Sequence, residues 1–302
     1  MILRRDGIVG LLWLGLVACG DSPALHDDAS FDRLAPADAA TTVALRIMAA
    51  NTTSGSRQSY DSGEGIRMFQ GLKPDVVLIQ EFNIGDNSAA AVRAFVDTTF
   101  DAQFSVFREA TGSIPNGIIS RYPIAQSGSW SDPRVTNRGF AWAKISVPGP
   151  HALWAVSLHL LTSGSSNRAS EADAVVAQVK AFVPAADYLV VGGDLNTGSR
   201  TEPCVTTLSQ IVVTSGPYPV DTHGNDSTSG SRSKAHDWLM PDAVLARVRV
   251  PTRVGAQTFA TGLVFDSRTF TPLADVAPVQ VADSGASNMQ HMPIVTDYAL
   301  PQ

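Results

Sequence analysis

The chain has 302 residues, 44% of them hydrophobic and 17% charged, and a net charge of −6. That is enough apolar material for one large domain, and the acidic balance argues against a basic protein that coats nucleic acid. It leaves open an enzyme that recruits metal ions to meet phosphates, and the two cysteines, Cys19 and Cys204, offer no disulfide within the folded part.

Arg4 and Arg5 precede the apolar run IVGLLWLGLVA, which is too short to be a good membrane span and reads as a signal peptide. Its end, LVACG, resembles the bacterial lipoprotein signal, which implies cleavage before Cys19 and acylation of that residue. The boundaries expected are therefore a signal peptide over 1–19, a flexible linker over 20–42 rich in Ala, Asp, Ser and Pro, and a folded domain over 43–302. Export to the cell envelope follows, lipid-anchored in the periplasm or on the surface, with an ordinary secretory signal and an incidental Cys19 as the alternative. Cys204 reads as a free thiol of the core.

VALRIMAAN predicts a first strand ending in Asn51, and a helix over Glu64–Leu72 follows, closed off by Pro74. DVVLIQEF is continuous rather than alternating, as in a strand covered on both faces, and ends in Glu81. Helical spacing runs from Asn87 to Thr99, and strands are predicted near Phe104, at NGIIS and at GFAWAKISV. HALWAVSLHLL is a strand carrying His159. The helix Asn167–Val183 sets Ala172, Val175, Val176, Val179, Phe182 and Val183 on one face, and YLVVGGDLN then runs as a strand whose Gly192-Gly193 pair predicts a sharp turn. Strand alternation would point Asp194 and Asn196 the same way. After Cys204 the pattern weakens into loops until the strands AHDWLM, with Asp237, and MPIVTDYAL, after His291. Strands and helices mixed in this way predict mixed sheets rather than one parallel sheet. Trp142, Trp154 and Trp238, at strand positions, read as core.

Asn51, Glu81, His159, Asp194, Asn196, Asp237 and His291 are each flanked by strand-like sequence. Taken singly, each such His is more often a structural residue and each such Asp a turn former. As a set they suit phosphoester hydrolysis: hard oxygen ligands suit Mg²⁺ or Mn²⁺, and histidines oriented by carboxylates suit contact with phosphate oxygens.

From about Val43 to Leu300, RIMAAN, DVVLIQEF, NGIISRYPI, SLHL, GGDLN, HDWLM and QHMPIVTDY resemble, in order, the motifs of the endonuclease/exonuclease/phosphatase superfamily, the deoxyribonuclease-I-like fold. The resemblance implies an α/β (α+β) four-layer sandwich of two packed mixed β-sheets flanked by helices. It implies Glu81 as principal metal ligand with Asn51 supporting the same ion, and Asp194 orienting or deprotonating the water. Asn196 would stabilise the transition state, His159 would donate to the phosphate, and His291 would be held by Asp237. Arg138 stands where relatives often carry a phosphate-contacting residue; a surface arginine at a strand start is the competing reading. Gln290 stands where relatives commonly have Asp, which favours one metal ion over two. His236 replaces a usual apolar residue and reads as capping a strand rather than facing the phosphate. Asp297 reads as architectural, and Arg232 and Lys234 as solvated charges rather than a steering patch.

The function expected is a Mg²⁺-dependent phosphodiesterase, a secreted or surface-anchored nuclease acting on DNA or RNA. It would be a monomer with no protein partner, touching the membrane through its lipid anchor alone. A sphingomyelinase-like lipid phosphodiesterase or a small-phosphoester phosphatase shares the same site chemistry, but the loops after Asp194 are small and polar. A catalytically inactive binding module is the third reading.

Overall fold

The computed structural model describes residues 41–55 and 58–302; the expected signal peptide, Cys19 and the expected linker up to residue 40 lie outside them. In chain order, β1 (Thr42–Ala50), α1 (Glu64–Leu72), β2 (Val76–Ile79), α2 (Ala89–Thr99), β3 (Ser105–Arg108), β4 (Gly117–Ser120), β5 (Ile124–Ser131), β6 (Gly139–Ile145) and β7 (Leu153–His159) come first. They are followed by α3 (Ser165–Phe182), β8 (Tyr188–Asp194), α4 (Pro203–Leu208), β9 (Asp237–Pro241), α5 (Ala243–Arg247), β10 (Arg249–Val250), β11 (Thr252–Val254), β12 (Gln257–Phe259), β13 (Leu263–Val264) and β14 (Ile294–Pro301). Thr42, read as linker, already pairs with Pro301 on β14.

Strands β11 and β12 form a small hairpin; of the two larger sheets, one has the order β10-β14-β1-β2-β4-β3, with β13 also on β14, and the other the order β5-β6-β7-β8-β9. Each is mixed. Each contains one parallel pair, β1–β2 or β7–β8, joined through a helix, α1 or α3. A parallel pair needs such a crossover, which returns the chain so that both strands finish at the same edge. Two such edges meet in the site described below.

Alternation along the second sheet sorts its residues between two cores. Leu153, Ala155, Tyr188, Val190 and Leu239 join the core that includes the first sheet, whereas Trp154, Val156, Leu158, Leu189, Val191 and Met240 cluster with α3 and α4. Burial on both faces is why β7 and β8 read as unbroken apolar runs. On the far side, α1 and α2 contribute Phe69 and Phe95 to an aromatic cluster with Tyr60 and Phe82, flanking the first sheet.

The α3 helix buries Ala172, Val175, Val176 and Val179 as its spacing predicts, each valine contributing about 1.5 kcal/mol or more. Phe182 and Val183 depart from that reading. Phe182 is exposed at the helix end, where it leans on Trp130 with ring centroids 6.1 Å apart, and Val183 is half-buried. Trp154 and Trp238 are buried, and Trp142 stacks between Trp130 and Trp154. The stretch after Cys204 is not all loop, because Pro203 opens the short α4, which buries the free Cys204. Asp297 accepts two hydrogen bonds from the Arg46 guanidinium, both at 2.8 Å, an architectural fork between β14 and β1. Arg232 is not solvated: it pairs with Asp221 at 2.5 Å and Asp266 at 3.3 Å. Among the described residues, no helix is long and apolar enough to cross a membrane.

Candidate active site

The second sheet ends in a polar row. His159 closes β7, Asp194 closes β8 and Asp237 opens β9, and the register pairs His159 with Asp194 and Asp194 with Asp237. Each continues the face of its strand that looks toward the first sheet, so alternation alone aims all three into the gap between sheets. From the first sheet, Asn51 follows β1 directly and Glu81 lies two residues beyond β2. His291, just before β14, is brought in by a bridge to Ser229.

Asp194 Oδ2 is the hub. Asn51 Nδ2 donates to it at 3.1 Å and Asn196 Nδ2 at 3.2 Å, while His159 Nε2 and His291 Nε2 each lie 3.4 Å away. Asn51 Nδ2 also donates to Glu81 Oε1 at 3.2 Å, and His159 Nε2 lies 3.9 Å from that oxygen. His291 Nδ1 lies 2.9 Å from Asp237 Oδ2. All seven residues of the sequence set therefore meet in one place.

Local backbone explains how. Gly192 and Gly193 make no turn; β8 runs through them to Asp194. Gly193 has φ +126°, and a Cβ there would strike the Leu158 carbonyl and the Gln80 side chain, so the glycine permits close approach of the β7 backbone and of Gln80 from the first sheet. Beneath it, Gln80 Nε2 donates to Ser157 Oγ at 2.8 Å and Ser157 Oγ donates to Ile79 O at 3.0 Å, tying the two sheets together under the site. Asn196 reaches Asp194 through a turn, not by alternation: its N–H donates to Asp194 Oδ1 at 2.8 Å and its φ is +51°, a conformation Asn tolerates. Glu81 sits at φ +49°, a left-handed position costing a non-glycine residue about 1 kcal/mol or more.

Arg138 is buried, and each of its three guanidinium nitrogens donates to the protein. Nε donates to the His159 carbonyl, Nη2 to Leu160 O at 3.0 Å and Nη1 to Asn137 Oδ1 at 3.3 Å. Leu160 O also accepts from Asn196 Nδ2 at 3.0 Å, so one carbonyl links Arg138 to the site. Arg138 thus stands under the site, not at a phosphate-facing surface. Gln290 is exposed, and its backbone carbonyl accepts from Gly230 at 2.6 Å. Thr53, which donates to Glu81 Oε2 at 3.0 Å, is a partner that no pattern in the polar run NTTSG singled out.

Burial drives the His159 imidazole down to about 3, with Asp194 opposing and the charges of Arg138 and His291 reinforcing. Burial also opposes charge on His291, but the carboxylates of Asp237 and Asp194 outweigh it and push the ring up to about 10. Burial and the neighbouring Asp194 raise Glu81, against hydrogen bonds from Asn51 and Thr53.

The donor set fits a divalent cation. Three carboxylates, Glu81, Asp194 and Asp237, share the site with one imidazolium, and the side-chain oxygen of Asn51 is buried without a hydrogen-bond partner among the described residues. Donor atoms of Asp194, Asp237 and His291 lie within 4.8 Å of one another, a group able to hold a metal ion. Glu81 and Asn51, the ligands the sequence favoured, border that group through Asp194.

A sequence profile described as "Endonuclease/Exonuclease/phosphatase family" matches residues 63–264. The chain belongs to this family. Family members hydrolyse phosphoester bonds with the help of divalent metal ions. The matched segment holds Glu81, Arg138, His159, Asp194, Asn196 and Asp237, while Asn51 and His291 lie outside it and are joined to them by the fold. Among solved structures, an endonuclease/exonuclease/phosphatase from Bacteroides vulgatus is similar at 14% identity and TM-score 0.58, covering 86% of this chain and 100% of its own. One from Beutenbergia cavernae matches at 17% identity and TM-score 0.57, covering 85% and 72%. Truncated Caenorhabditis elegans TDP2 matches at 15% identity and TM-score 0.55, covering 84% and 97%. These likenesses establish the fold of two mixed sheets with flanking helices. A search of curated proteins finds no match.

Proposed function

We propose that this protein is a Mg²⁺-dependent phosphodiesterase, a nuclease acting on DNA or RNA by direct attack of water, exported and anchored through Cys19. One observation carries the hydrolytic reading: seven polar side chains from both sheets converge on Asp194 Oδ2 and its neighbours.

In this reading Asp194 accepts the proton of the attacking water, and its position is fixed by the Asn196 backbone N–H. His291, kept protonated by Asp237, presents a charged donor to a phosphate oxygen. His159, held neutral, keeps its ring against Asp194 and donates to the phosphate without adding charge. Asn196, half-buried beside Asp194, stabilises negative charge as it builds on phosphorus-bound oxygens. Glu81 and Asn51 would hold a single divalent ion, which when bound withdraws charge from the phosphate.

The test is a panel of DNA, RNA, sphingomyelin and small phosphoesters assayed with Mg²⁺, Mn²⁺ or chelator. Cleavage of DNA or RNA that needs the metal is expected. A panel inert with either ion would refute the enzyme reading, and cleavage confined to sphingomyelin or small esters would reassign the substrate. For the anchor, Cys19→Ser is expected to shift the protein from the membrane fraction to the soluble fraction; an unchanged membrane fraction would contradict lipidation.

A further inference from the structure

His236 has a place in the structure that strand capping does not explain. It immediately precedes β9, and its backbone is fixed by others: its carbonyl accepts from Leu195 N–H at 2.8 Å, and the next N–H, that of Asp237, donates to Thr228 Oγ1 at 2.7 Å. Among the described residues the ring itself has no hydrogen-bond partner, and Nδ1 is buried. It is half-buried, tilted 58° to the His291 ring with centroids 5.6 Å apart. A side chain that braces nothing, beside the charged imidazole of the site, has its hydrogen-bonding capacity free.

We propose that His236 is a substrate-contacting residue that donates a hydrogen bond to a non-bridging phosphate oxygen beside the one met by His291. This deepens the phosphoesterase reading and rests on it. Rings 5.6 Å apart can reach two oxygens of one tetrahedral phosphate, since oxygens about 2.5 Å apart each take a donor at about 2.8 Å. The chemistry it recognises is the phosphate group itself, so its contribution is shared by substrates that differ in what the phosphate carries.

The experiment compares wild type with His236→Leu, which removes the donor, and His236→Gln, which keeps one. Inorganic phosphate binding is followed by NMR of the imidazole C–H signals, and hydrolysis by kcat and KM. Loss of one hydrogen bond to a charged group predicts about tenfold weaker phosphate binding and higher KM in His236→Leu, with an unchanged melting temperature and substantial recovery in His236→Gln. Unchanged phosphate affinity in His236→Leu overturns the proposal, as does equal loss in both variants accompanied by a drop in melting temperature. Failure of the enzyme reading appears separately, as wild type that binds phosphate but hydrolyses nothing; the binding comparison then still decides His236. Wild type that does not bind phosphate overturns the proposal outright.

Discussion

At the end of β7, His159 Nε2 lies 3.4 Å from Asp194 Oδ2; in the loop before β14, His291 Nε2 lies at the same distance from the same oxygen. Both rings are buried, yet His159 is driven down to about 3 and His291 up to about 10. What differs is the second neighbour. His291 has Asp237 at 2.9 Å on its other nitrogen, whereas the Nδ1 of His159 has no partner among the described residues and Arg138 grips its backbone carbonyl. Asp194 does not offset the desolvation of the His159 imidazolium, even with Glu81 3.9 Å away, whereas Asp194 together with the hydrogen-bonded Asp237 does so for His291. The site thereby offers a neutral and a charged imidazole on either side of one carboxylate.

The largest way to break this arrangement is Asp194→Asn, which removes the shared acceptor; hydrolysis of the best substrate in the panel is expected to fall about 10³-fold. Activity persisting unchanged would condemn the assignment. Next is Asp237→Asn, which should make His291 resemble His159 and cost about 10²-fold in kcat. It should also alter the pH dependence of stability in chelator. His291 has a folded pKa above its ordinary 6.5, so its stabilisation is complete below pH 6.5 and lost as pH rises through about 10. His159 has the opposite sign: its contribution is complete above pH 6.5 and lost as pH falls toward about 3. Urea unfolding from neutral to alkaline pH should show the alkaline loss in wild type and a flatter curve in Asp237→Asn.

Arg138→Met would leave the His159 and Leu160 carbonyls short of a donor, and a loss of about 2 kcal/mol is expected in urea unfolding. A drop in kcat should accompany it, with partial recovery in Arg138→Lys; a rise in KM alone would instead indicate direct phosphate contact. The smallest effect is expected far from both histidines. Cys204→Ala should cost about 1 kcal/mol or less and leave kcat unchanged, because the buried thiol packs against α3 without touching the site.

The parts legible in the sequence are those whose signal is local. Unbroken apolar runs marked β2, β7 and β8 because both faces of these strands are covered, and each run ended in a polar residue that the fold gathers. The chain IAQSGSW does not read as a strand: β5 is an edge strand whose exposed Gln126, Ser127 and Ser129 break the apolar signal. The two-residue strands β10 and β13 are defined by their distant partner β14 rather than by their own residues. Gly192 and Gly193 were misread because a glycine serving close packing looks the same in one dimension as a glycine serving a turn. Arg138 and His236 were illegible for a related reason: their partners are carbonyls and rings remote in the chain.

The central claim is that one cation site is built jointly by the two sheets. Electron paramagnetic resonance of Mn²⁺ binding to wild type, Glu81→Gln and Asp194→Asn tests it most directly, since Glu81 comes from the first sheet and Asp194 from the second. One site is expected in wild type, weakened by about tenfold or more in both variants. Mn²⁺ affinity that survives either substitution intact would contradict it.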